Sequence, residues 1–359
     1  MCTFGLIALV SPAKLHLFRA GPTNRAIAQG LGSVLRLTDD LTLSPPVFLA
    51  PMAGITDLPF RDLVSRFGAG LVVSEMVASQ EMVQAKPGTR ERAELGFGHA
   101  DTAVQLAGRD PYWIGEAARM VEANGAKMID INMGCPAKKV VGGLSGSALL
   151  RDLPLALSLI EAVTAAVSIP VTLKTRLGWD DSLLNAPELA RQAEAAGIRM
   201  ITIHGRTRCQ FYKGRADWAA IRAVSESVDI PVIANGDIAS PRDARRAMQL
   251  SGADGVMVGR AAGGRPWLIA QIAADLFGTR APTPPTGRAL VEMVLEHYEA
   301  SLAFYGDDLG KRVIRKHLGW YMDDARTAPD MRRAVLSEPD PARVMALIPD
   351  ALSPEHEAA

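Results

Sequence analysis

The strongest constraint on the fold of this chain is a series of eight short apolar runs, each followed by a helical pattern. The runs are VFLAPM from Val47, LVVSEM from Leu71, TAVQLAG from Thr102, MIDINMG from Met128, PVTLKTR from Pro170, MITIHGR from Met200, PVIANGD from Pro231 and ADGVMVGR from Ala253. Runs with so few polar residues are typical of parallel strands whose outer faces are covered by helices. Their spacing of about 30 residues matches one strand plus one helix. We therefore predict the α/β fold class, as a (β/α)8 TIM barrel over residues 45–282.

A segment rich in proline and threonine, TRAPTPPTG at residues 279–287, follows the predicted barrel. Its prolines cannot continue a helix, which is typical of an exposed linker. Residues 286–350 show helical periodicity without a strand candidate, so we predict a small all-α helical domain there. Residues 351–359 are expected to form a frayed tail. Residues 1–44 are expected to form a flexible N-terminal extension, with a targeting arm and an early start codon as alternatives.

Charge and cysteine content exclude several classes of protein. The 39 basic and 39 acidic side chains give a formal net charge of zero, so any polyanion must bind a local basic surface. The three cysteines, at positions 2, 135 and 209, form no C-x-x-C pair, which argues against a disulfide framework and against a metal site. No stretch of about 20 residues is both apolar and free of charge and proline, so we expect no membrane span. We expect a cytoplasmic protein.

Polar residues cluster where the predicted strands end, and in such barrels the carboxyl ends of the strands surround the active site. The candidates are Glu75, Gln105, Asn132, Cys135, Lys174, Arg176, His204, Asn235, Asp237 and Arg260. Because side chains alternate along a strand, Lys174 and His204 are predicted to point into the barrel. Each residue taken singly could simply bond loop carbonyls, but the whole set together predicts an active site.

The last two predicted strands end in ANGDI and MVGRAAGGRPW. Glycines in these segments let backbone N–H groups approach a ligand closely, and Arg260 adds a charged donor. A phosphate frequently binds at this position in such barrels, although glycines there also serve simply to shape tight turns. We predict a planar cofactor with a phosphate tail, with Lys174 able to stabilise negative charge on the pyrimidine side of a flavin.

Cys135 begins a glycine-containing loop at residues 132–150, after the fourth predicted strand. A cysteine there can be a nucleophile, a general acid or an inert small apolar residue, and the nearby Lys138 and Lys139 are typical of a reactive thiol. The sequence near Cys135 does not supply the base that a cysteine hydrolase needs. Proton donation therefore fits Cys135 better than nucleophilic attack.

Basic residues concentrate in three segments, two at the predicted barrel mouth and one in the helical domain. They are Lys138 and Lys139, then Arg206, Arg208, Lys213 and Arg215 beside Phe211 and Tyr212, and finally Lys311, Arg312, Arg315 and Lys316. Any one such segment is most often a solvated face, or in the helical domain is paired with neighbouring aspartates. Three of them around one pocket predict a polyanion, with one of its units entering the site.

Several motifs resemble those of the tRNA-dihydrouridine synthases, most closely the bacterial branch lettered B. The matching motifs are APMAGITDLPFR (50–61), SEM (74–76), DINMGCPAKKV (130–140), TIHGRTRCQFYKGRADW (202–218), ANGDI (234–238), GRAAGGRPW (259–267) and RKHLGWY (315–321). The resemblance implies an FMN-dependent barrel and a helical tRNA-binding domain. It also implies that the enzyme reduces the C5–C6 bond of a D-loop uridine in tRNA, with NADPH as reductant.

Transferred motif by motif, the resemblance implies that Cys135 is the catalytic proton donor. It implies FMN contacts at Pro51, Met52, Ala53, Gln105, Lys174, His204, Asn235, Gly236, Asp237, Gly259 and Arg260. We expect contacts with the tRNA substrate at Asn132, Lys138, Lys139, Arg176, Arg206, Arg208, Lys311, Arg312, Arg315 and Lys316. We expect no obligate protein partner. The segment MDDARTAPDMRR after Tyr321 departs from the glycine-containing loop that the resemblance leads us to expect.

Two alternatives remain open from the sequence. The first is an FMN barrel that acts on a free pyrimidine or another small unsaturated substrate, and the basic mouth and the helical domain argue against it. The second is an RNA-binding protein that has kept the barrel without the chemistry, and the presence of both Cys135 and Lys174 argues against that.

Overall fold

A computed structural model describes residues 34–86, 93–95 and 102–353 of the chain. Predictions for residues 1–33 and 354–359 lie outside this part. The strands are β1 (Leu35–Arg36), β2 (Thr42–Leu43), β3 (Val47–Leu49), β4 (Leu71–Val73), β5 (Val77–Ala78), β6 (Thr102–Ala107), β7 (Ile129–Met133), β8 (Val171–Arg176), β9 (Ile201–His204), β10 (Val232–Asn235) and β11 (Gly255–Val258).

Eight parallel strands, β3, β4 and β6 to β11, close into the predicted barrel, because β3 pairs with both β4 and β11, and β4 pairs with β6. Each coincides with one of the eight apolar runs. Alternation divides their side chains as predicted: Ile201 and Ile203 pack in the main apolar core, while the intervening Thr202 is a buried polar residue. The barrel prediction is confirmed, and the short β5, which pairs with β6, was not predicted.

The helices begin where the sequence places capping residues. The Asp57, Asp110 and Ser240 side chains each accept a backbone N–H in the first turn of the helix that follows. The barrel helices are α1 (Leu58–Phe67), α2 (Ser79–Val83), α3 (Pro111–Ala123), α4 (Lys138–Gly142), α5 (Leu153–Ala166), α6 (Ala186–Ala195), α7 (Arg222–Ser225), α8 (Pro241–Ser251) and α9 (Leu268–Phe277). Two short 3-10 helices, Gly146–Arg151 and Arg260–Ala262, follow β7 and β11.

Residues 35–43 differ from the flexible extension expected for residues 1–44. Strands β1 and β2 form an antiparallel pair in which Leu35 faces Leu43. Leu43 is fully buried, and both leucines belong to an apolar cluster with Phe48 and Met257 of the barrel strands. Burial of these leucines fixes the pair on the barrel, even though each strand has only two residues.

Residues 279–286 of the linker form neither helix nor strand, and five helices follow within the part of the chain that the structure describes. They are α10 (Gly287–Tyr305), α11 (Asp307–Val313), α12 (Arg315–Asp324), α13 (Pro329–Ser337) and α14 (Pro341–Leu352). Their apolar side chains form a second core that also contains Leu63 of α1 and Trp267, so these helices pack directly on the barrel. Helix α14 extends to Leu352, two residues into the segment expected to be frayed. No helix of the described residues is long and apolar enough to cross a membrane.

Candidate active site

A cavity of about 710 Å³ opens at the carboxyl ends of the barrel strands. The described residues contain no cluster of three or more metal-ligating side chains. All eleven residues for which FMN contacts were predicted line the cavity: Pro51, Met52, Ala53, Gln105, Lys174, His204, Asn235, Gly236, Asp237, Gly259 and Arg260. Cys135, Asn132 and Arg176 line it as well. The barrel therefore brings into one wall side chains that lie far apart along the chain.

Lys174 lies in the wall of the cavity because the register of β8 places it beside Asn132 of β7 and Thr202 of β9. Its Nζ donates to Asn235 Oδ1 at 3.1 Å, and Asn235 Nδ2 donates in turn to the Met257 carbonyl at 2.8 Å. Burial, reinforced by the charge of Arg176, lowers the pKa of Lys174 to about 8. An ammonium has three N–H groups, so two remain for a ligand.

His204 pairs in register with Asn235 and Arg176 on the neighbouring strands. Burial and then the charges of Lys174, Arg176 and other nearby cations hold the pKa of His204 well below its usual range. The imidazole is therefore neutral at pH 7. Its Nδ1 is buried and has no hydrogen-bond partner within the described part of the chain.

A chain of hydrogen bonds runs from a buried carboxylate to the Cys135 backbone. Gln105 Nε2 donates to Asp130 Oδ2 at 2.6 Å, and Asn132 Nδ2 donates to Gln105 Oε1 at 2.8 Å. Asn132 Oδ1 then accepts the Cys135 N–H at 3.0 Å. Burial raises the pKa of Asp130, but both of its oxygens accept, from Gln105 and from the Thr172 hydroxyl, so Asp130 fixes which end of each amide faces the next residue. Sequence reasoning missed Asp130, which is marked by its position two residues before Asn132 on the same strand face and by the presence of a carboxylate inside an apolar run.

The loop after β7 folds back onto Cys135. The Cys135 carbonyl accepts both the Ser147 hydroxyl at 2.9 Å and the Ser147 N–H at 3.1 Å. Gly146 is required for this contact, because it has a φ of +59° and a Cβ there would lie 2.8 Å from the Cys135 carbonyl oxygen. The loop therefore fixes the backbone of Cys135, whose side chain lines the cavity.

The two glycine-containing segments predicted to cradle a phosphate lie side by side at the ends of β10 and β11. Within the described residues, the backbone N–H groups of Gly236, Arg260 and Ala261 donate no hydrogen bond. The Arg260 side chain is 65% exposed, and its guanidinium lies 5.2 Å from the centre of the Tyr212 ring. The three backbone N–H groups are free to receive an anionic ligand, and the Arg260 guanidinium, 3.6 Å from the Asp237 carboxylate, adds a charged donor beside them. Tyr212, which the sequence marked only as one ring of a mouth loop, also lines the cavity.

Arg206, expected to contact the substrate, is instead buried, with only 2% of its side chain exposed. Its guanidinium donates to both carboxylate oxygens of Asp237, at 2.5 and 3.0 Å, and to the carbonyls of Lys213 and Gly214. Asp237 Oδ2 also accepts the Ala216 N–H. Burial alone would raise the pKa of Asp237, but the bonds from Arg206 and Ala216 outweigh it and lower the pKa below its usual range. Arg206 and Asp237 thus fix the fold of the mouth loop.

Two other arginines expected to contact the substrate also make contacts within the protein. Arg176 is buried and donates to the carbonyls of Gly134, Thr207 and Phe211, so it ties three loop positions together. Arg208 stacks over the Trp179 ring at 4.8 Å. In contrast, Lys138 and Lys139 are exposed at the start of α4.

The four bases of the helical domain do not form one uniform face. Lys311 Nζ pairs with Asp308 at 3.1 Å, and Arg312 Nε donates to the Asp308 carbonyl at 2.9 Å. Lys316 Nζ lies 3.4 Å from the Gly54 carbonyl of the barrel. Arg315, which is partly exposed, begins helix α12.

Comparison with known proteins gives a consistent result. Residues 48–352 match the family model described as dihydrouridine synthase (Dus). A protein of Rhodobacter capsulatus described as a probable tRNA-dihydrouridine synthase is 61% identical over 323 residues, which cover 89% of this chain and 98% of that protein. A protein of Xanthomonas campestris pv. campestris described as tRNA-dihydrouridine synthase B is 46% identical over 310 residues, covering 86% of this chain and 93% of that protein.

Among solved structures, histamine dehydrogenase from Rhizobium sp. 4-9 superposes with a TM-score of 0.52 at 14% identity. The match covers 75% of this chain but only 50% of that one. At this level of identity the likeness bears on the fold alone, and it agrees with the barrel described above.

Proposed function

The chain belongs to the dihydrouridine synthase family, and from this membership we propose that it reduces the C5–C6 bond of a D-loop uridine in tRNA, using FMN as cofactor and NADPH as reductant. The observation that carries the proposal is a single cavity in which the Cys135 thiol, the Lys174 ammonium and the free donors around Arg260 all lie. A proton donor, a stabiliser of negative charge and a phosphate site are the three features that this reaction needs from the protein.

The residues of the cavity fit a flavin mononucleotide. The volume of about 710 Å³ falls within the range of cofactor sites, roughly 300 to 1,000 Å³. The unsatisfied N–H groups of Gly236, Arg260 and Ala261 suit a phosphate, and Arg260 adds a charged donor. The two remaining N–H groups of Lys174 suit the pyrimidine edge of the flavin ring. When bound, the flavin supplies the hydride that adds to uracil C6, and NADPH restores its reduced form.

The side chains of this protein supply the proton and fix the geometry. We assign to the Cys135 thiol the delivery of a proton to uracil C5, because Cys135 carries an S–H group on the segment 134–137 that lines the cavity. Asn132 holds the Cys135 backbone, and its orientation is fixed by Gln105 and Asp130. Lys174, held by Asn235, would supply positive charge to a bound flavin and so would stabilise its reduced form.

We propose tRNA as the substrate because exposed basic side chains lie around the mouth of the cavity rather than inside it. Lys138 and Lys139 at the start of α4 are exposed to solvent. Arg260 lies over the exposed Tyr212 ring. Cations and aromatic faces in this arrangement are those that bind phosphates and stack on bases of single-stranded RNA.

The proposal is tested with the purified protein, by measuring the flavin spectrum and dihydrouridine formation in a tRNA that lacks this modification. We expect bound FMN, bleaching of the flavin by NADPH, and loss of uridine reduction in Cys135→Ala while both FMN binding and bleaching persist. Cys209→Ala is the matched control, because Cys209 is exposed and does not line the cavity, and it should react like the wild type. Absence of flavin binding even after reconstitution, or equal loss of all three activities in Cys135→Ala, would contradict the proposal.

A further inference from the structure

Helix α12 of the helical domain contacts the loop that follows β3, in which Met52, Ala53 and Ile55 line the cavity. His317 Nε2 lies 3.2 Å from the Ile55 carbonyl, and Lys316 Nζ lies 3.4 Å from the Gly54 carbonyl. A carbonyl can only accept, so the His317 ring carries its proton on Nε2. The buried Nδ1 of His317, which has no partner in the described chain, is consistent with this tautomer.

The barrel alone holds only part of this loop. Arg61 of α1 donates to the Thr56 carbonyl at 2.8 Å, and the Glu75 carboxylate accepts the Gly54 N–H. The carbonyls of Gly54 and Ile55, which lie between these two anchors, are bonded by α12. The N–H groups of Ile55 and Thr56 both donate to the Met52 carbonyl within the loop, but removing α12 would leave the carbonyls of Gly54 and Ile55 without these partners.

The same helix contacts the loop that follows β11, which contains Arg260 and the proposed phosphate donors. The Trp320 side chain lies against Gly263, where an added Cβ would come within 2.7 Å of the Trp320 ring. Gly264 also approaches α12 closely, since an added Cβ there would lie 2.7 Å from the Trp320 carbonyl oxygen. Arg265 and Asp324 are 4.0 Å apart across the same contact.

We infer that α12 is a positioning element of the cofactor site: His317 and Trp320 hold the loops after β3 and β11 in the geometry that binds FMN. The inference rests on the proposed function, because it needs FMN to be the ligand of the cavity. It goes beyond that function by giving the helical domain a role in cofactor retention besides contact with RNA. His317 and Trp320 do not line the cavity, so they act through the loops and are positioning residues.

The first test compares His317→Leu with His317→Gln in the full-length protein. Leucine removes the donor to the Ile55 carbonyl and should raise the FMN dissociation constant roughly 3- to 10-fold, the equivalent of one net hydrogen bond. Glutamine keeps an N–H donor at similar reach and should restore most of the affinity. FMN binding is measured by quenching of flavin fluorescence on titration of the apoprotein.

The second test is a double-mutant cycle between Gly263 and Trp320. Gly263 has a φ of −61°, which alanine adopts without strain, so any effect of Gly263→Ala must come from its contact with the Trp320 ring. Gly263→Ala should weaken FMN binding in the wild-type background. It should have little further effect in Trp320→Leu, where the ring is absent. If the effects of the two changes on the free energy of FMN binding simply add, the contact between Gly263 and Trp320 does not influence the cofactor site.

Val335→Ala is the matched control, because Val335 is buried in the helical core on α13 and does not belong to either loop contact. It should lower thermal stability as much as the test variants or more, yet leave the FMN dissociation constant within about twofold of wild type. Equal weakening by Val335→Ala and His317→Leu would reduce the effect to general destabilisation and overturn the inference. Wild-type protein that binds no FMN would instead overturn the proposed function itself.

Discussion

Replacement of Arg206 separates the two roles that sequence and structure give to this residue. If Arg206 contacts RNA, its replacement would lower tRNA affinity and leave the stability of the protein unchanged. As a buried partner of Asp237, it donates four hydrogen bonds with 2% of its side chain exposed. Arg206→Met keeps much of the volume but removes every one of these donors, and it leaves Asp237 with the Ala216 N–H and with Arg260 at 3.6 Å.

The magnitude follows from the burial of the pair. Breaking a fully buried ion pair costs about 3 to 5 kcal/mol. The Asp237 side chain is 28% exposed, so solvent screens part of the carboxylate and we expect about 2 to 4 kcal/mol. For 359 residues, with an unfolding entropy of about 2.1 cal/mol/K per residue, that corresponds to a fall in Tm of roughly 3 to 5 °C. Arg215→Met is the matched control, because Arg215 is exposed on the same loop and should change stability by less than about 0.5 kcal/mol.

The assay is urea unfolding of the apoprotein at several pH values. The folded-state pKa of Asp237 is lowered, so its contribution is present above the unfolded pKa of about 3.9 and is lost as pH falls through the folded value. The stability difference between wild type and Arg206→Met should therefore narrow only in acid, below about pH 4. A variant as stable as the wild type at pH 7, with weaker tRNA binding alone, would refute the structural role and restore the expectation from sequence.

Three further predictions concern the cofactor and the RNA. FMN binding should weaken above about pH 8, because the Lys174 ammonium loses its proton there. In Lys174→Met, FMN titrations over the same pH range should show no such dependence, and the flavin reduction potential should be lower. Arg260→Ala should weaken FMN more than riboflavin in parallel titrations, since only FMN carries the phosphate; equal losses would exclude the cradle. The double variant Arg312→Gln, Arg315→Gln should reduce the slope of log tRNA affinity against log salt, while its NADPH oxidation with a small electron acceptor stays unchanged. An unchanged slope would instead place the RNA contact at Lys138 and the mouth of the cavity.

The barrel and the cavity wall could be predicted because regular periodicity constrains them. Lys174 and His204 lie on strands, and the period of two that orients them is a property of local sequence. The alternation of side chains along a strand does not continue into loops. For this reason the sequence predicted a substrate contact for Arg206, whereas the structure buries it. Its partner Asp237 lies 31 residues away in the chain, and no local pattern indicates that a loop arginine is buried rather than exposed.

The hairpin β1–β2 escaped prediction for a different reason. Its strands have two residues each, too few for a period to be recognised, and their burial depends on Phe48 and Met257 from distant parts of the barrel. Asp130 escaped because it was treated as part of an apolar run. A carboxylate inside such a run costs free energy unless it is bonded, and this cost itself marks Asp130 as a residue retained for its contacts with Gln105 and Thr172.

The helical domain shows most clearly what a charge pattern leaves undetermined. Spacing of i and i+4 predicts that Lys311 and Arg315 share a helix face, but it does not say what that face meets. In the structure, Lys311 lies on α11 and pairs with the exposed Asp308, whereas Arg315 begins α12 and Lys316 reaches a barrel carbonyl, so the basic residues do not share one face. Replacing all four bases at once would therefore disturb the loop after β3 together with any RNA contact. Only variants that spare Lys316, such as the paired change at Arg312 and Arg315, can distinguish binding of RNA from support of the cofactor site.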